Sequence, residues 1–384
     1  MIVPPATIGM LGGGQLGRYT LVAARLMGYG TVVVDPDPDA PAGRVADRHL
    51  VAAYDDPAAL DLLAGVCAVV TTEFENPPAG ALERLAATVA VAPSAGAVSI
   101  AQDRLAEKAF LVDHGLAVAP YVAVTSAQEV AAAEVTGPSI LKSARLGYDG
   151  KGQVAVGGSA ELAAAWPRLG RVPCVLERRV PLDVEVSALV ARTADGRSAV
   201  YPLAENTHAG GILDVTVVPA RIDPALAAEA TAAAVAIAEA LEFVGLLAVE
   251  LFVSDGRILV NELAPRPHNS GHWTLDAART SQFEQQVRAV CGLALGPTAP
   301  TAPAVAMANL LGDGWHGGEP DWSAVLAEPD AHLHLYGKAA ARPGRKMGHL
   351  TVTGTDVATV EARSRALRAA AFRAVAARGV SRRR

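Results

Sequence analysis

Residues 245–273 read GLLAVELFVSDGRILVNELAPRPHNSGHW: two apolar strands around an Asp255-Gly256 turn, each carrying one carboxylate, Glu250 or Glu262. An Asp-Gly pair between apolar runs is a hairpin signal. Acids inside otherwise apolar strands are costly to bury unless a positive charge stands between them. Asn261 precedes the second acid, and a basic and polar run, Arg266-Pro267-His268-Asn269-Ser270, follows it. Register decides whether the acids meet. A two-residue loop sets Glu250 opposite Asn261, and a three-residue loop, Asp255-Gly256-Arg257, sets it opposite Glu262. Like charges directly opposite destabilise a ladder by roughly 0.2–1 kcal/mol. A magnesium ion carrying ATP phosphates would turn that penalty into a site, with both carboxylates aimed into one cavity. The alternative is a solvent-facing acidic pair.

The chain has 384 residues, which predicts two or three domains. It is 51% hydrophobic and 19% charged, but its apolar runs are short and broken by Gly, Pro or charge, which speaks against a membrane protein. The start, MIVPPATIGMLGGG, lacks the basic and apolar regions of a signal peptide. Cys67, Cys174 and Cys291 are too far apart for a zinc or disulfide framework, and predict a reducing, cytoplasmic setting. A net charge of −6 argues against nucleic acid as a partner. The last 22 residues hold eight arginines, read as a solvated helix face and a frayed end.

Up to about residue 100, short strands alternate with helices. ATIGMLG, TVVVD, AVVTTEF and VAVAP read as strands, LGRYTLVAARLMGYG and DPAALDLLAGV as helices, predicting an α/β, doubly wound parallel sheet. Its opening, Gly12-Gly13-Gly14-Gln15-Leu16-Gly17, fits Gly-x-Gly-x-x-Gly, and Asp35 ends the second strand. That pattern suits a dinucleotide, the phosphate of another small molecule, or a purely structural turn. A helix from about Gln102 to His114 ends at Gly115, a predicted C-cap. An α+β region follows, with strands at PSILKSA, QVAVGG, CVLERRV, VEVSALVAR and SAVYPLAEN and an alanine-rich helix between Pro224 and Glu242. After Gly296, PTAPTAP reads as a linker to a small third region. The expected division is 1–104, 105–296 with a lid at about 137–205, and 297–384.

Lys142 sits in the apolar strand PSILKSA and needs an anionic partner. The loop Gly147-Tyr148-Asp149-Gly150-Lys151-Gly152-Gln153 follows. Its three glycines let backbone N–H groups approach a triphosphate and let the loop close. It lacks the Gly-Lys-Ser/Thr ending of a Walker A loop, and a plain β-turn with a surface lysine is the alternative. Glu177 lies where a strand breaks off and could offer backbone groups to an adenine edge. Glu185 could reach a ribose or phosphate group. An exposed acid on an edge strand is the more common explanation for either one.

These residues resemble an ATP-grasp enzyme and, more narrowly, the N5-carboxyaminoimidazole ribonucleotide synthetases. The motifs GMLGGGQLGR, TTEFENPP, GYDGKGQ, ENTHAGGILDVT, NELAPRPHNSGHWT and LYGKAAARPGRKMGH carry the likeness, from residue 9 to 349. The resemblance implies an ATP-grasp fold with a Rossmann-like N-terminal domain and a small C-terminal one. It implies ATP contacts from Arg104, Lys142, residues 147–153, Glu177, Arg178, Arg179, Val180, Glu185, His208, Asn261 and Glu262, with Mg²⁺ on Glu250 and Glu262. It implies ribonucleotide contacts from Gln15, Glu75, Tyr148, Asp149, Lys151, Arg266, His268, Lys338 and Arg345. The two arginines at 178 and 179 are less typical of the family, but contacts there would be mainly through backbone.

The implied reaction begins with bicarbonate attacking ATP to give carboxyphosphate and ADP. The exocyclic amine of 5-aminoimidazole ribonucleotide then captures the carboxyl, directly or as released CO₂. Asp149 is the candidate proton acceptor, with a positioning role as the alternative. Arg266 and Lys338 suit bicarbonate, carboxyphosphate or the ribonucleotide phosphate. A homodimer is expected from the family. Rival readings are a formate-dependent ribonucleotide transformylase of the same superfamily, a nicotinamide dehydrogenase, and a non-catalytic nucleotide-binding module.

Overall fold

The computed structural model describes residues 1–147 and 151–381. Five short strands, β1 (Thr7–Leu11), β2 (Gly30–Val34), β3 (Arg48–Leu50), β4 (Val69–Thr72) and β5 (Ala90–Val91), form a parallel sheet in the order β3-β2-β1-β4-β5. Helices α1 (Gln15–Leu26), α2 (Pro57–Val66), α3 (Ala79–Ala86) and α4 (Ala95–Gln102) accompany it. Leu60 and Leu63 of α2 and Leu82 and Leu85 of α3 are buried against Val32, Val34 and Val70, each worth about 1.5–3 kcal/mol in apolar burial. The parallel sheet agrees with the sequence expectation. The expected helix from Gln102 is shorter: Asp103 caps α5 (Arg104–Asp113) by accepting from Leu105 N and Ala106 N. Gly115 follows at φ +74°, the conformation expected of a C-cap glycine.

Strands β6 (Tyr121–Val124), β7 (Ser139–Ser143), β8 (Gln153–Val156) and β9 (Cys174–Arg178) form a small antiparallel sheet in the order β6-β9-β7-β8. Helices α6 (Ala127–Ala132) and α7 (Ser159–Arg168) pack on it around Leu141, Leu162 and Trp166. This sheet runs from Tyr121 to Arg178, so it starts ahead of residue 137 and ends well before 205.

The remaining strands build one large antiparallel sheet. They are β10 (Val184–Arg192), β11 (Ser198–Val200), β12 (Ala204–Ala209), β13 (Ile212–Val218), β14 (Gly245–Ser254), β15 (Arg257–Ala264), β16 (Ala304–Leu311), β17 (Ala331–Leu335) and β18 (Lys346–Gly354). Their order is β15-β14-β10-β12-β13-β16-β18-β17, with β11 on β10. The strands after residue 296 therefore extend the sheet that carries the acidic hairpin. The alanine-rich helix α8 (Pro224–Ala240) lays Ala230, Ala234 and Ile237 on one face of that sheet. Small side chains there let the helix approach closely.

The other α-helices among the described residues are α9 (Thr274–Ala277), α10 (Gln282–Val290), α11 (Ser323–Leu326) and α12 (Val357–Ser381). Three of the α12 arginines are paired and not solvated, whereas Arg373 is exposed as expected. Arg368 reaches Asp214 Oδ1 at 2.6 Å and the Asn309 carbonyl at 3.0 Å, Arg365 also pairs with Asp214, and Arg363 pairs with Glu328. They clamp the helix to the sheet beneath Val360 and Ala371, both fully buried. Arg382, Arg383 and Arg384 lie outside the described residues. Among those described, no helix is long and apolar enough to cross a membrane.

Candidate active site

The carboxyl ends of β1 and β4, the small antiparallel sheet and the β14–β15 hairpin enclose a cleft of about 900 Å³. In an open parallel sheet, the crevice between the two strands where the order reverses is the usual ligand position. Here Gln15, after β1, and Glu75, after β4, both line the cleft.

On the hairpin, Glu250 and Glu262 are direct cross-strand partners. The route to this register differs from the one expected. Ser254 pairs with Arg257, so the loop has only two residues, Asp255 (φ 49°) and Gly256 (φ 69°). The ladder then slips by one residue between Glu250 and Leu251, where Leu251 pairs with Val260 and Asn261 is left over. A bulge re-aims side chains that strict alternation would send to opposite faces. Asn261 and Glu262, adjacent in sequence, accordingly both line the cleft.

Burial alone would raise the Glu262 carboxyl, but Arg104, 2.7 Å away at Nη1, holds it below the usual range. Glu250 meets His268 Nε2 at 3.1 Å. His268 Nδ1 lies 2.8 Å from Ser270 Oγ, which bonds Ser187 Oγ at 2.7 Å. The chain of contacts continues through Asn206 to Thr216. The Oδ1 of Asn261 is buried with no hydrogen-bond partner. Two carboxylates beside an unsatisfied amide oxygen are hard donors of the kind Mg²⁺ takes, so the residues fit that ion.

Across the cleft, Ile140 and Lys142 of β7 line it while Leu141 faces the core between the small sheet and its helices, as period two requires. The anionic partner of Lys142 is Glu177, whose other oxygen lies 2.8 Å from Lys108 Nζ. Glu177 is only 3% exposed, so the idea of an exposed edge acid fails. Its side chain is an ion-pair hub, and burial, which raises its carboxyl, is outweighed by the two lysines. Lys108 also donates to the Asn261 carbonyl at 3.0 Å, joining β9 to the bulge. The N–H groups of Arg178 and Arg179 bond the carbonyls of Pro120 and Pro138, at 2.8 and 2.9 Å. Neither N–H is open to a ligand in this arrangement. Val180 follows, partly buried and outside the cleft lining.

Glu185 on β10 pairs with His208 on β12, and both line the cleft. Burial pulls the His208 pKa down, but the Glu185 carboxylate more than offsets it, leaving a net rise. In the glycine loop Gly147, Lys151 and Gln153 line the cleft, and Gly152 sits beside them at φ +71°. Tyr148, Asp149 and Gly150, which carry several of the expected contacts, lie outside the described residues. Arg266, Lys338 and Arg345 stand on the remaining wall, where Arg266 pairs with Glu75, Lys338 lies 5.5 Å from the Tyr336 ring centre and Arg345 donates to the Ala340 carbonyl at 2.9 Å. Burial lowers the Arg266 guanidinium to about 10.

Three residues here went unread in the sequence. Glu73 accepts from the N–H of Gly14 and, at 2.7 Å, of Gly17. It thus fills the helix N-terminus where a dinucleotide pyrophosphate would sit. Asp35 likewise accepts from Gly13 N at 2.7 Å and Tyr54 Oη at 2.8 Å, instead of awaiting a ribose. The glycine fingerprint is therefore a turn closed by the chain's own carboxylates. Glu107 and Lys108 are buried on α5. With Arg104 they fall at i, i+3 and i+4, one helix face, which was the available signal.

Comparison with known proteins accounts for most of the chain. The family described as the ribonucleotide synthetase preATP-grasp domain matches residues 5–102, the ATP-grasp domain 109–283, and the phosphoribosylaminoimidazole carboxylase C-terminal domain 305–363. The N5-carboxyaminoimidazole ribonucleotide synthase of Brucella melitensis is 47% identical over 353 residues, 91% of this chain and 96% of that protein. The crystal structure of the Staphylococcus aureus N5-carboxyaminoimidazole synthetase complexed with ADP superposes with a TM-score of 0.89 at 37% identity, covering 96% of this chain and 98% of that one. The Aspergillus clavatus synthase in complex with ADP and 5-aminoimidazole ribonucleotide gives 0.85 at 30% identity, covering 96% and 99%. The chain belongs to the N5-carboxyaminoimidazole ribonucleotide synthase family, within the ATP-grasp enzymes.

Proposed function

We propose that this family member carboxylates 5-aminoimidazole ribonucleotide to N5-carboxyaminoimidazole ribonucleotide at the expense of ATP, with bicarbonate as the carbon source. The observation that carries the proposal is the meeting of two donor sets in one cleft. Glu250, Glu262 and the orphaned Asn261 oxygen face Lys142, while Arg266, Lys338 and Arg345 gather on the adjoining wall. The named relatives support the same reading.

Bicarbonate oxygen attacks the γ-phosphorus, the bond to the ADP oxygen breaks, and carboxyphosphate forms. The ribonucleotide amine then bonds to the carboxyl carbon, directly or after release of CO₂. Phosphate leaves and the amine loses a proton. Mg²⁺ on Glu250 and Glu262 would neutralise phosphate charge. Lys142 and Arg104 add fixed positive charge where the phosphoryl oxygens develop theirs. Arg266, held by Glu75, and Lys338 orient the anionic carboxyl and ribonucleotide groups. Asp149 is the proposed proton acceptor, with a positioning role as the alternative. The loop 147–153 would exclude water that otherwise hydrolyses carboxyphosphate. The working form is proposed to be a homodimer.

The test is ADP release by the purified protein. It should require both bicarbonate and 5-aminoimidazole ribonucleotide and yield the carboxylated ribonucleotide. Turnover supported by formate in place of bicarbonate would instead make it a transformylase.

A further inference from the structure

A second constellation lies outside the cleft lining, where His334 of the β17–β18 ribbon meets Asp276 of α9. His334 and His349 are direct cross-strand partners, and their rings stack at 4.6 Å with planes 16° apart. His334 Nε2 lies 2.9 and 3.0 Å from the two oxygens of Asp276. His349 is fully buried, its Nδ1 3.0 Å from Tyr336 Oη and its Nε2 without a hydrogen-bond partner. One donor atom from each of Asp276, His334 and His349 lies within 4.8 Å of the other two. None of the three lines the cleft.

Buried polar atoms are normally satisfied, and an orphan calls for an explanation. When His349 donates its Nδ1–H to the Tyr336 oxygen, Nε2 holds an unshared lone pair in a buried setting, with the rings of Tyr19 and His272 6.3 and 4.7 Å from its own. This is how a metal-binding imidazole is arranged: the far nitrogen is fixed by an oxygen and the near one left free. His272, also fully buried, has its own Nε2 unpartnered and its ring centre 4.7 Å from that of His349.

We propose that Asp276, His334 and His349 bind one divalent cation of the zinc class, clasping the β17–β18 ribbon to α9. Two imidazoles and a carboxylate form a borderline donor set that suits Zn²⁺ or Co²⁺ and not the all-oxygen preference of Mg²⁺. Coordination requires the partly exposed His334 ring to turn out of its stack on His349, so that both in-plane lone pairs converge, and the His334 Nε2 proton to shift to Nδ1 or leave to solvent; cation, carboxylate and two lone pairs then balance without a redox step.

The experiment uses the full chain, stripped with a chelator and titrated with Co²⁺ as the probe. One equivalent should give the visible absorption of nitrogen-ligated Co²⁺. Zn²⁺ should bleach it, excess Mg²⁺ should leave it, and stoichiometric Zn²⁺ should raise Tm. His334→Gln, at a partly exposed position, should weaken Co²⁺ binding at least about tenfold, whereas Glu250→Gln should not. The proposal is overturned if the wild-type chain takes up no stoichiometric Co²⁺, or if His334→Gln binds it equally well. Loss of the signal in Glu250→Gln would place the cation in the cleft and overturn it too.

Discussion

Glu250 and Glu262 face each other across the β14–β15 ladder because Asn261 is excluded from pairing, although the turn between the strands has only two residues. The bulge brings two carboxylates and an amide oxygen to one wall of the cleft. Each acid of the pair also has a partner of its own, Arg104 on Glu262 and His268 on Glu250.

Glu262→Gln preserves the shape and an acceptor for Arg104 but removes the charge. ADP formation should fall by about 10²-fold or more, the scale seen when a transition-state charge stabiliser is lost. The Mg²⁺ concentration for half-maximal rate should rise as well. Full turnover at limiting Mg²⁺ would remove Glu262 from the metal site.

Parts of this site were legible because they are local anomalies. Lys142 and the two glutamates are charges in apolar strands, and that pattern survives without any knowledge of the fold. Register was not legible. The Asp-Gly turn fixed two residues of it, but the bulge at Asn261 has no sequence mark and depends on Lys108 gripping the Asn261 carbonyl from another element. Glu73 was hidden for a related reason. Its partners, Gly14 and Gly17, lie 59 and 56 residues upstream, and only the pairing of β1 with β4 brings them together. Arg363, Arg365 and Arg368 looked like part of a solvated face because Asp214 and Glu328 give no sign in the sequence that they will lie beside them.

Lys108→Met should destabilise the protein by about 3–5 kcal/mol, since it leaves Glu177 buried with only Lys142 to balance it. Adding Glu177→Leu should recover only part of that loss, because it removes the unbalanced carboxylate but leaves Lys142 without its anionic partner. Urea unfolding of the single and double variants measures both. Equal stability of Lys108→Met and wild type would mean that the Lys108–Glu177 contact contributes nothing.

Glu107 supplies a pH signature. Burial raises its carboxyl to about 8, against the opposing effect of Arg104. The folded chain therefore keeps a proton that the unfolded chain releases from its ordinary value of 4.5 upward. With more protons bound to the folded state, stability from this group falls as pH rises between about 4.5 and 8, by up to about 1.4 kcal/mol per pH unit. Glu107→Gln retains an acceptor for Leu263 N, bonded at 2.9 Å in the parent. It should flatten that slope and be the more stable protein above pH 8. Parallel stability–pH curves for the two proteins would contradict a protonated Glu107.

The glycine turn gives the last prediction. In a dinucleotide enzyme the N–H groups at the start of α1 would await a pyrophosphate, and Asp35 a ribose. Here Glu73 occupies the first position and Gly13 N and Tyr54 the second. The wild-type chain should show no change in NADH fluorescence at protein concentrations that saturate with ATP. Glu73→Gln weakens two charge-assisted bonds, because a neutral amide oxygen accepts less strongly than a carboxylate and its NH₂ cannot accept at all. One of the two N–H groups is then left unpaired, at about 1–3 kcal/mol. Urea unfolding should show that loss. Because Gln15 and Glu75 are tied to the same turn and the same strand end, KM for the ribonucleotide should rise more than KM for ATP. Equal effects on the two Michaelis constants would mean that the turn supports the fold without shaping the ribonucleotide side of the cleft.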